Sequence, residues 1–229
     1  MIKRIYWTDD IRIDNPFLRK KLFPLELVPD DDITVIVGKN GSGKTRLLSS
    51  IEQLCKIEAQ LKNQNLPKYQ RRLLLQDKEN LKISISTENN EETPVYMMKQ
   101  DAILHSATFM GDPLELASKF MSNGEGRKKL IDRIKALAEA LREKGKKCVL
   151  VLDELDSGLD FREQMKLAGV LKKCTDVFQV FMVTHNVVTM MQFDKLFDIE
   201  KKCFRNTSDY LNDALPKSTL KLWRRATIK

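Results

Sequence analysis

The sequence from residue 33 to residue 45 is Ile33-Thr34-Val35-Ile36-Val37-Gly38-Lys39-Asn40-Gly41-Ser42-Gly43-Lys44-Thr45. Up to Val37 it is apolar and largely β-branched, which predicts a buried strand. From Gly38 it matches Gly-x-x-x-x-Gly-Lys-Ser/Thr, whose glycines let successive backbone amides point inward around an anion. Apolar positions at helical spacing follow, so a helix should run from Lys44 to about Leu61. This order of strand, loop and helix predicts a site for the phosphates of a nucleoside triphosphate.

We call Gly38 to Thr45 the phosphate loop. Lys44 is expected to contact the β- and γ-phosphates of ATP, and the Thr45 hydroxyl to bind Mg²⁺. The remaining phosphate contacts are expected from the backbone and the first helical turn, at Gly38, Asn40, Gly41, Ser42, Gly43 and Arg46. A chance match in a glycine-rich loop is the alternative, and the flanking strand and helix argue against it.

A second apolar run, Cys148-Val149-Leu150-Val151-Leu152, is followed at once by Asp153 and Glu154. This predicts a buried strand with two carboxylates at its end. Asp153 would hold Mg²⁺ through its water shell, and Glu154 would polarise an attacking water as general base. An acidic pair in a loop is common, so the pair alone is weak evidence. The turn Leu155-Asp156-Ser157-Gly158-Leu159-Asp160 that follows it is more specific.

The next apolar run ends in Val183-Thr184-His185. A histidine at the carboxyl end of a strand faces the ligand crevice of an open α/β sheet. We therefore expect His185 to bond the γ-phosphate and help orient the water, although a lone histidine is more often structural.

A glycine-bearing segment, Met121-Ser122-Asn123-Gly124-Glu125-Gly126, precedes a predicted long helix that ends near Lys144. A small, glycine-rich helix start can bind a second anion. The alternative is an ordinary helix cap made by Ser122 or Asn123.

The order of these motifs resembles the ABC-type P-loop ATPases throughout residues 25 to 200. The soluble branch that includes SMC, RecF-like and OLD-like proteins is the most similar, on the sequence of the phosphate loop, on Glu125 at the end of the glycine-bearing segment, on Leu155-Asp156 after Glu154 and on the long spacing from Ser122 to Asp153. Residues 46 to 121 carry no sustained heptads, so the resemblance is to a version without a coiled-coil arm. The resemblance implies an α/β fold with a mostly parallel sheet, an antiparallel side sheet and a helical lobe at about residues 100–145. Residues 1–229 would form a single ATPase domain.

The resemblance also implies roles for residues that spacing alone does not assign. Residues 121 to 125 are similar to the family's Leu-Ser-Gly-Gly-Gln/Glu signature, with Met for Leu and Asn123 for the first glycine. That departure would weaken the second phosphate contact. The implied nucleotide contacts are Ser122, Gly124 and Glu125, with Asp160 in the D-loop and His185 as the switch histidine. The Mg²⁺-binding glutamine is assigned to Gln100, with Gln76 as the competitor.

This chain carries one copy of each motif, so the resemblance implies a homodimer in which the signature of one subunit closes on ATP held by the other. What the closure would drive stays open between three classes. A DNA-associated process is favoured by the net charge of +8 and by basic runs at residues 127–129 and 221–225. The alternatives are the nucleotide-binding subunit of an ABC transporter and a switch that regulates a partner protein.

Several further expectations follow from composition and pattern. No apolar run approaches the roughly 20 residues of a membrane span, so a cytoplasmic protein without membrane insertion is expected. The four cysteines are expected to be reduced thiols. Residues 63–72 are expected to be a polar connector, and the strands near 81–98 to join the N-terminal strands, 2–7 and 11–13, in the side sheet. The adenine-stacking aromatic stays open among Tyr6, Trp7, Phe17 and Phe23.

Overall fold

The computed structural model describes residues 1–9, 16–87, 94–99 and 129–215. Several expectations lie outside these residues: the strand at 11–13, the part of the helical lobe before residue 129, the signature segment at 121–126 and the basic run at 221–225. Gln100 lies outside them as well.

The described elements alternate between strands and helices from the phosphate loop onward. In chain order they are β1 (Ile2–Trp7), α1 (Pro16–Leu22), β2 (Leu25–Leu27), β3 (Ile33–Val37), α2 (Lys44–Leu61), α3 (Lys68–Leu81), β4 (Ile83–Thr87), β5 (Val95–Lys99), α4 (Lys129–Glu143), β6 (Cys148–Asp153), α5 (Phe161–Lys173), β7 (Phe178–Val183), α6 (Val187–Met190), β8 (Lys195–Asp198), β9 (Cys203–Asn206) and α7 (Thr207–Ala214). The predicted helix from Lys44 to Leu61 is confirmed, and β3 and β6 lie where the apolar runs predict them.

The main sheet has the strand order β5-β6-β7-β3-β8-β9. The neighbouring pairs β5–β6, β6–β7, β7–β3 and β3–β8 are all parallel. The edge strand β9 pairs antiparallel with β8. Parallel neighbours end at the same edge of a sheet, so the segments that follow β3, β6 and β7 meet there. This places the phosphate loop, the Asp153-Glu154 pair and His185 on one side of the molecule.

The main sheet is covered on both faces, which explains why its strands are apolar along their whole length. In β6, Leu150 and Leu152 pack in a core with residues of α4 and α5. Val149 and Val151 face the other way, into a second core that contains the apolar stripe of α2 and the inward residues of β1. The result is a three-layer arrangement, helices on one face and α2 with the side sheet on the other.

The side sheet is antiparallel, with the order β2-β1-β4. The expectation for the strands near 81–98 is therefore half right. β4 joins β1 as predicted, whereas β5 lies parallel to β6 at the edge of the main sheet. Residues 63–72 are also only partly a connector, because α3 begins at Lys68.

The buried side chain of Gln179 on β7 ties the N-terminal strand to the main sheet. Its Oε1 accepts a hydrogen bond from the Ile2 amide at 2.7 Å, and its Nε2 donates to the Ile2 carbonyl at 2.8 Å. Replacing Gln179 with Ala would leave both backbone groups buried without partners. We expect the free energy of unfolding in urea to fall by about 3 kcal/mol. Gln70→Ala, which removes only an exposed bond to the Tyr69 hydroxyl, should change it by less than ~0.5 kcal/mol; equal effects would contradict the tether.

Two expectations about the chain as a whole can be compared with the described residues. Cys55, Cys148, Cys174 and Cys203 are all free thiols, as predicted. None of the helices in the described ranges is both long enough and apolar enough to cross a membrane.

Candidate functional site

The phosphate loop connects the end of β3 to the start of α2. Gly43 precedes the helix with a φ of 94°, in the left-handed region that favours glycine. A Cβ at this position would lie 2.8 Å from Leu22 Cδ2, so α1 packs directly against the loop. No described side chain caps the N-terminus of α2. The helix therefore begins with uncapped backbone amides and the positive end of its dipole at the loop.

We expect Gly43→Ala to lower the affinity for Mg-ATP by roughly tenfold, because the methyl group meets Leu22 and the backbone loses its preferred conformation. Gly145→Ala is the matched control. Gly145 also has a positive φ, 59°, but nothing lies within 4 Å of its added Cβ, and it precedes β6 at the opposite edge of the sheet. Isothermal titration with Mg-ATP should show the loss only in Gly43→Ala, and an equal loss in both variants would contradict this account.

Lys44 is buried inside the loop rather than extended into solvent. Its Nζ donates hydrogen bonds to the carbonyl oxygens of Gly38 and Lys39, each at 2.9 Å. Burial lowers the pKa of Lys44, and the nearby carboxylates of Glu154 and Asp153 partly offset that effect. The loop thus holds a desolvated cation at its centre.

Two hydroxyl groups of the loop, those of Ser42 and Thr45, differ in their partners. The Ser42 Oγ is buried and has no hydrogen-bond partner among the described residues. Thr45 Oγ1 donates a hydrogen bond of 3.1 Å to Asp153 Oδ1, which joins the start of α2 to the end of β6. Hydroxyl and carboxylate oxygens are the ligands that Mg²⁺ prefers.

Glu154 and His185 meet at the end of the β6–β7 pair. The His185 Nε2 lies 3.2 Å from the Glu154 Oε1, and both side chains are 38% exposed. Glu154 has a φ of 54°, a left-handed conformation that a non-glycine residue adopts only when its surroundings impose it. Such strain concentrates at functional sites, and here it occurs at the residue whose carboxylate lies beside His185.

The rear of the phosphate loop is braced by residues that the sequence patterns do not indicate. The Lys39 amide donates to Glu200 Oε1 at 3.2 Å, and Lys21 Nζ donates to Glu200 Oε2 at the same distance. The phenol of Tyr210 on α7 also lies near this loop: burial raises its pKa, and the backbone of Gly38 partly offsets that rise. These contacts join segments far apart in sequence, so no local motif reveals them.

The remaining predicted site residues lie in the phosphate loop, at the start of α5 or outside the described ranges. Asn40 and Arg46 lie in the loop and the first turn of α2, as their positions require. Asp160 caps α5: its carboxylate accepts from the Glu163 amide at 2.8 Å, and the reciprocal bond completes a capping box. The signature residues and the glutamine are outside the described ranges: Ser122, Gly124, Glu125 and Gln100.

The four aromatic candidates for adenine stacking are now distinguished by exposure. Trp7 is fully buried and packs edge-to-face on Phe23 with ring centroids 4.7 Å apart, so this pair belongs to the core. Tyr6 is 41% exposed on β1, and Phe17 is 73% exposed on α1, the helix that contacts Gly43 through Leu22. Phe17 is therefore an exposed candidate on the helix that packs against the loop.

Comparison with known proteins gives a family and a fold. Residues 52–206 match the family described as RecF/RecN/SMC N terminal domain, a segment that includes Asp153, Glu154 and His185. The chain is similar in structure to cbiO1 from Clostridium perfringens, part of the ABC transporter complex cbiONQ, at 14% identity and a TM-score of 0.51, covering 99% of this chain and 98% of that one. It is also similar to the SMC head domain from Thermotoga maritima, at 18% identity and a TM-score of 0.48, covering 85% and 93%. No protein of curated function matches the sequence significantly.

Proposed function

The chain belongs to the RecF/RecN/SMC N-terminal domain family, ABC-type P-loop ATPases of the SMC-like branch, and from this premise we propose that it binds and hydrolyses ATP at the phosphate loop. The fold is that of a P-loop ATPase head, with the predicted parallel sheet and antiparallel side sheet. The observation that carries the proposal is the 3.1 Å contact between Thr45 and Asp153, beside the buried Lys44.

The loop is suited to hold a triphosphate with its Mg²⁺. Lys44 would exchange its two carbonyl partners for phosphate oxygens, and the unpartnered Ser42 hydroxyl would gain an acceptor. Thr45 and Asp153 would hold Mg²⁺ directly and through water, and Gln100 is proposed as a further ligand. Bound there, Mg²⁺ supplies positive charge that neutralises and orients the phosphate oxygens.

The proton-handling residues lie next to the loop. Glu154 is proposed as the general base that polarises the attacking water, because its half-exposed carboxylate is held at the strand end that follows Asp153. His185 would orient the water and contact the terminal phosphate from its position 3.2 Å from Glu154. The strained backbone at Glu154 keeps the carboxylate aimed before substrate arrives.

A complete site requires a second subunit in this proposal. Residues 1–229 are proposed to form one ATPase domain with the helical lobe at 100–145, whose Ser122, Gly124 and Glu125 would close on the phosphate loop of a partner copy. Asp160 would lie at the same junction. Its carboxylate is exposed even though it caps α5, so it can accept a further bond.

The proposal is tested by measuring phosphate release from Mg-ATP as a function of protein concentration. Because the site is completed by a second chain, the activity per chain should rise with concentration and then level off. EDTA should abolish the activity. Activity that is linear in protein down to nanomolar concentration would contradict the two-subunit site, and no Mg²⁺-dependent activity at any concentration would contradict the ATPase assignment.

We propose a DNA-associated process as the role of this ATPase, on the support of the net charge of +8. Filter binding of duplex and single-stranded DNA, with and without Mg-ATP, tests it. We expect the affinity for DNA to fall steeply as the salt concentration rises, because lysines and arginines displace counterions from the phosphates. We also expect this affinity to change when Mg-ATP is added. Affinity that ignores both salt and ATP would contradict this role and favour a partner protein as the target.

A further inference from the structure

A buried polar chain connects the loop after β6 to the loop after β7. Asp156 and Thr184 are 2% and 0% exposed. The Thr184 Oγ1 donates a hydrogen bond to Asp156 Oδ2 and accepts one from the Asn186 amide at 2.9 Å. Asn186 in turn caps α6, its Oδ1 accepting from the Val188 amide at 2.9 Å. The Thr184 hydroxyl therefore holds the backbone on both sides of His185.

Backbone hydrogen bonds link this buried polar cluster to Glu154, the proposed general base. Glu154 lies at the start of the turn that contains Asp156: the Ser157 amide donates to the Glu154 carbonyl at 3.1 Å, and the Leu159 amide donates to the Asp156 carbonyl at 3.2 Å. The Glu154 amide donates to the Val183 carbonyl at 3.1 Å as the sheet ladder ends. Beyond that point, the Asp156–Thr184 bond joins the two loops through their side chains.

The cost of this arrangement indicates that it does more than stabilise the core. Burial raises the pKa of Asp156, while the hydrogen bond from Thr184 lowers it. Burial of a charged group is costly, and replacing buried charged groups by apolar residues of similar size is often neutral or stabilising. The arrangement instead fixes geometry, because the Thr184 hydroxyl donates to the loop after β6 and accepts from the loop after β7, and so sets the distance between the two loops.

We propose that Asp156 and Thr184 are positioning residues that set the register of His185 against Glu154. The expected effect on turnover rests on the proposed ATPase function, whereas the expected effect on the position of His185 does not. Neither residue touches the phosphate loop in the described contacts, so the effect should fall on turnover and not on ATP affinity. Because these hydrogen bonds act through His185, removing them should lower turnover only when that histidine is present.

The kinetic test is a double-mutant cycle of Thr184→Val and His185→Ala. Thr184→Val keeps the volume and removes the hydroxyl, and we expect kcat to fall about tenfold at unchanged KM, as small misplacements of reacting groups do. In the His185→Ala background the same change should lower kcat by less than about twofold. Thr184→Ser should restore the wild-type rate. Equal losses in both backgrounds, or none in the wild type, would overturn the proposal.

Two controls make the cycle decisive. Thr207→Val removes another buried hydroxyl, one that donates to the Phe193 carbonyl near the start of β8 at the opposite sheet edge, and should leave kcat unchanged. If Thr184→Val does not fold, Asp156→Asn replaces it in the cycle. The amide keeps the shape and an acceptor oxygen, so a smaller loss is expected, and again only with His185 present.

A readout without ATP separates this inference from the proposed function. The sequence has 2 histidines, so the imidazole signals of His185 and His105 can be assigned by NMR from His185→Ala. Thr184→Val should shift the His185 signals and leave those of His105 in place. A shift in a protein without ATPase activity would refute the proposed function and keep the positioning role. Unshifted His185 signals would refute the positioning role itself.

Discussion

Glu154→Gln is expected to lower the rate of ATP hydrolysis by roughly 10³-fold while leaving the affinity for Mg-ATP within about twofold, because general-base catalysis contributes 10²–10⁴ to a rate. Gln keeps the size of the side chain and loses only its basicity. The phosphate contacts of Lys44 and Thr45 lie on a different loop and should persist. Phosphate release and nucleotide titration of the same preparation measure both halves of the prediction.

The same variant should reveal the second subunit. If ATP bridges two copies and hydrolysis releases them, blocking hydrolysis accumulates the closed dimer. Light scattering of Glu154→Gln with Mg-ATP should report a dimer, whereas the apo protein should be mainly monomeric. Glu58→Gln on α2, whose carboxylate pairs only with Lys78 in the described contacts, should hydrolyse ATP normally. A Glu154→Gln protein that stays monomeric at high concentration with ATP would contradict the composite site.

The parts of the site that sequence could predict are those encoded by strand ends. Asp153 and Val183 are register partners of the β6–β7 ladder, so the rule that parallel strands end at one edge brings Glu154 near His185 without any coordinates. The phosphate loop was predictable for a simpler reason, since its residues are contiguous. Their proposed roles stay predictions, because the structure gives positions and not chemistry.

The parts that sequence could not predict depend on long-range packing. Residues 63–72 predict a connector because they are polar and contain Pro67, whereas the chain from Lys68 onward forms α3, whose buried residue is Leu81. The sequence predicts β5 in the side sheet, whereas it pairs with β6 in the main sheet, because the residues of a short strand do not encode which strand lies beside it. The contact of Glu200 with the Lys39 amide has no local signal at all. In each case a partner distant in the sequence decides the outcome.

Lys44→Met is expected to abolish detectable ATP binding and, at the same time, to leave the apo protein as stable as the wild type or more stable. The lowered pKa of Lys44, caused by burial, means that the folded state holds this proton less tightly than the unfolded chain does. At neutral pH the buried charge therefore opposes folding, and Met removes it while keeping most of the volume. The two hydrogen bonds to loop carbonyls are lost in exchange.

The two effects can be read in one set of unfolding curves. Mg-ATP at about 100 times its Kd should stabilise the wild type by about 2.7 kcal/mol and Lys44→Met by nothing measurable. Lys56→Met on the same helix removes a part-buried pair with Glu52 and should keep the full ATP effect.

The sign of the pH dependence of stability follows from the lowered pKa of Lys44. The unfolded state binds more protons between the folded pKa and the ordinary value of 10.5, so wild-type stability should gain on the variant as the pH rises through that interval. A variant that is less stable than the wild type across this range, yet still binds ATP, would show that Lys44 serves the fold rather than the phosphate.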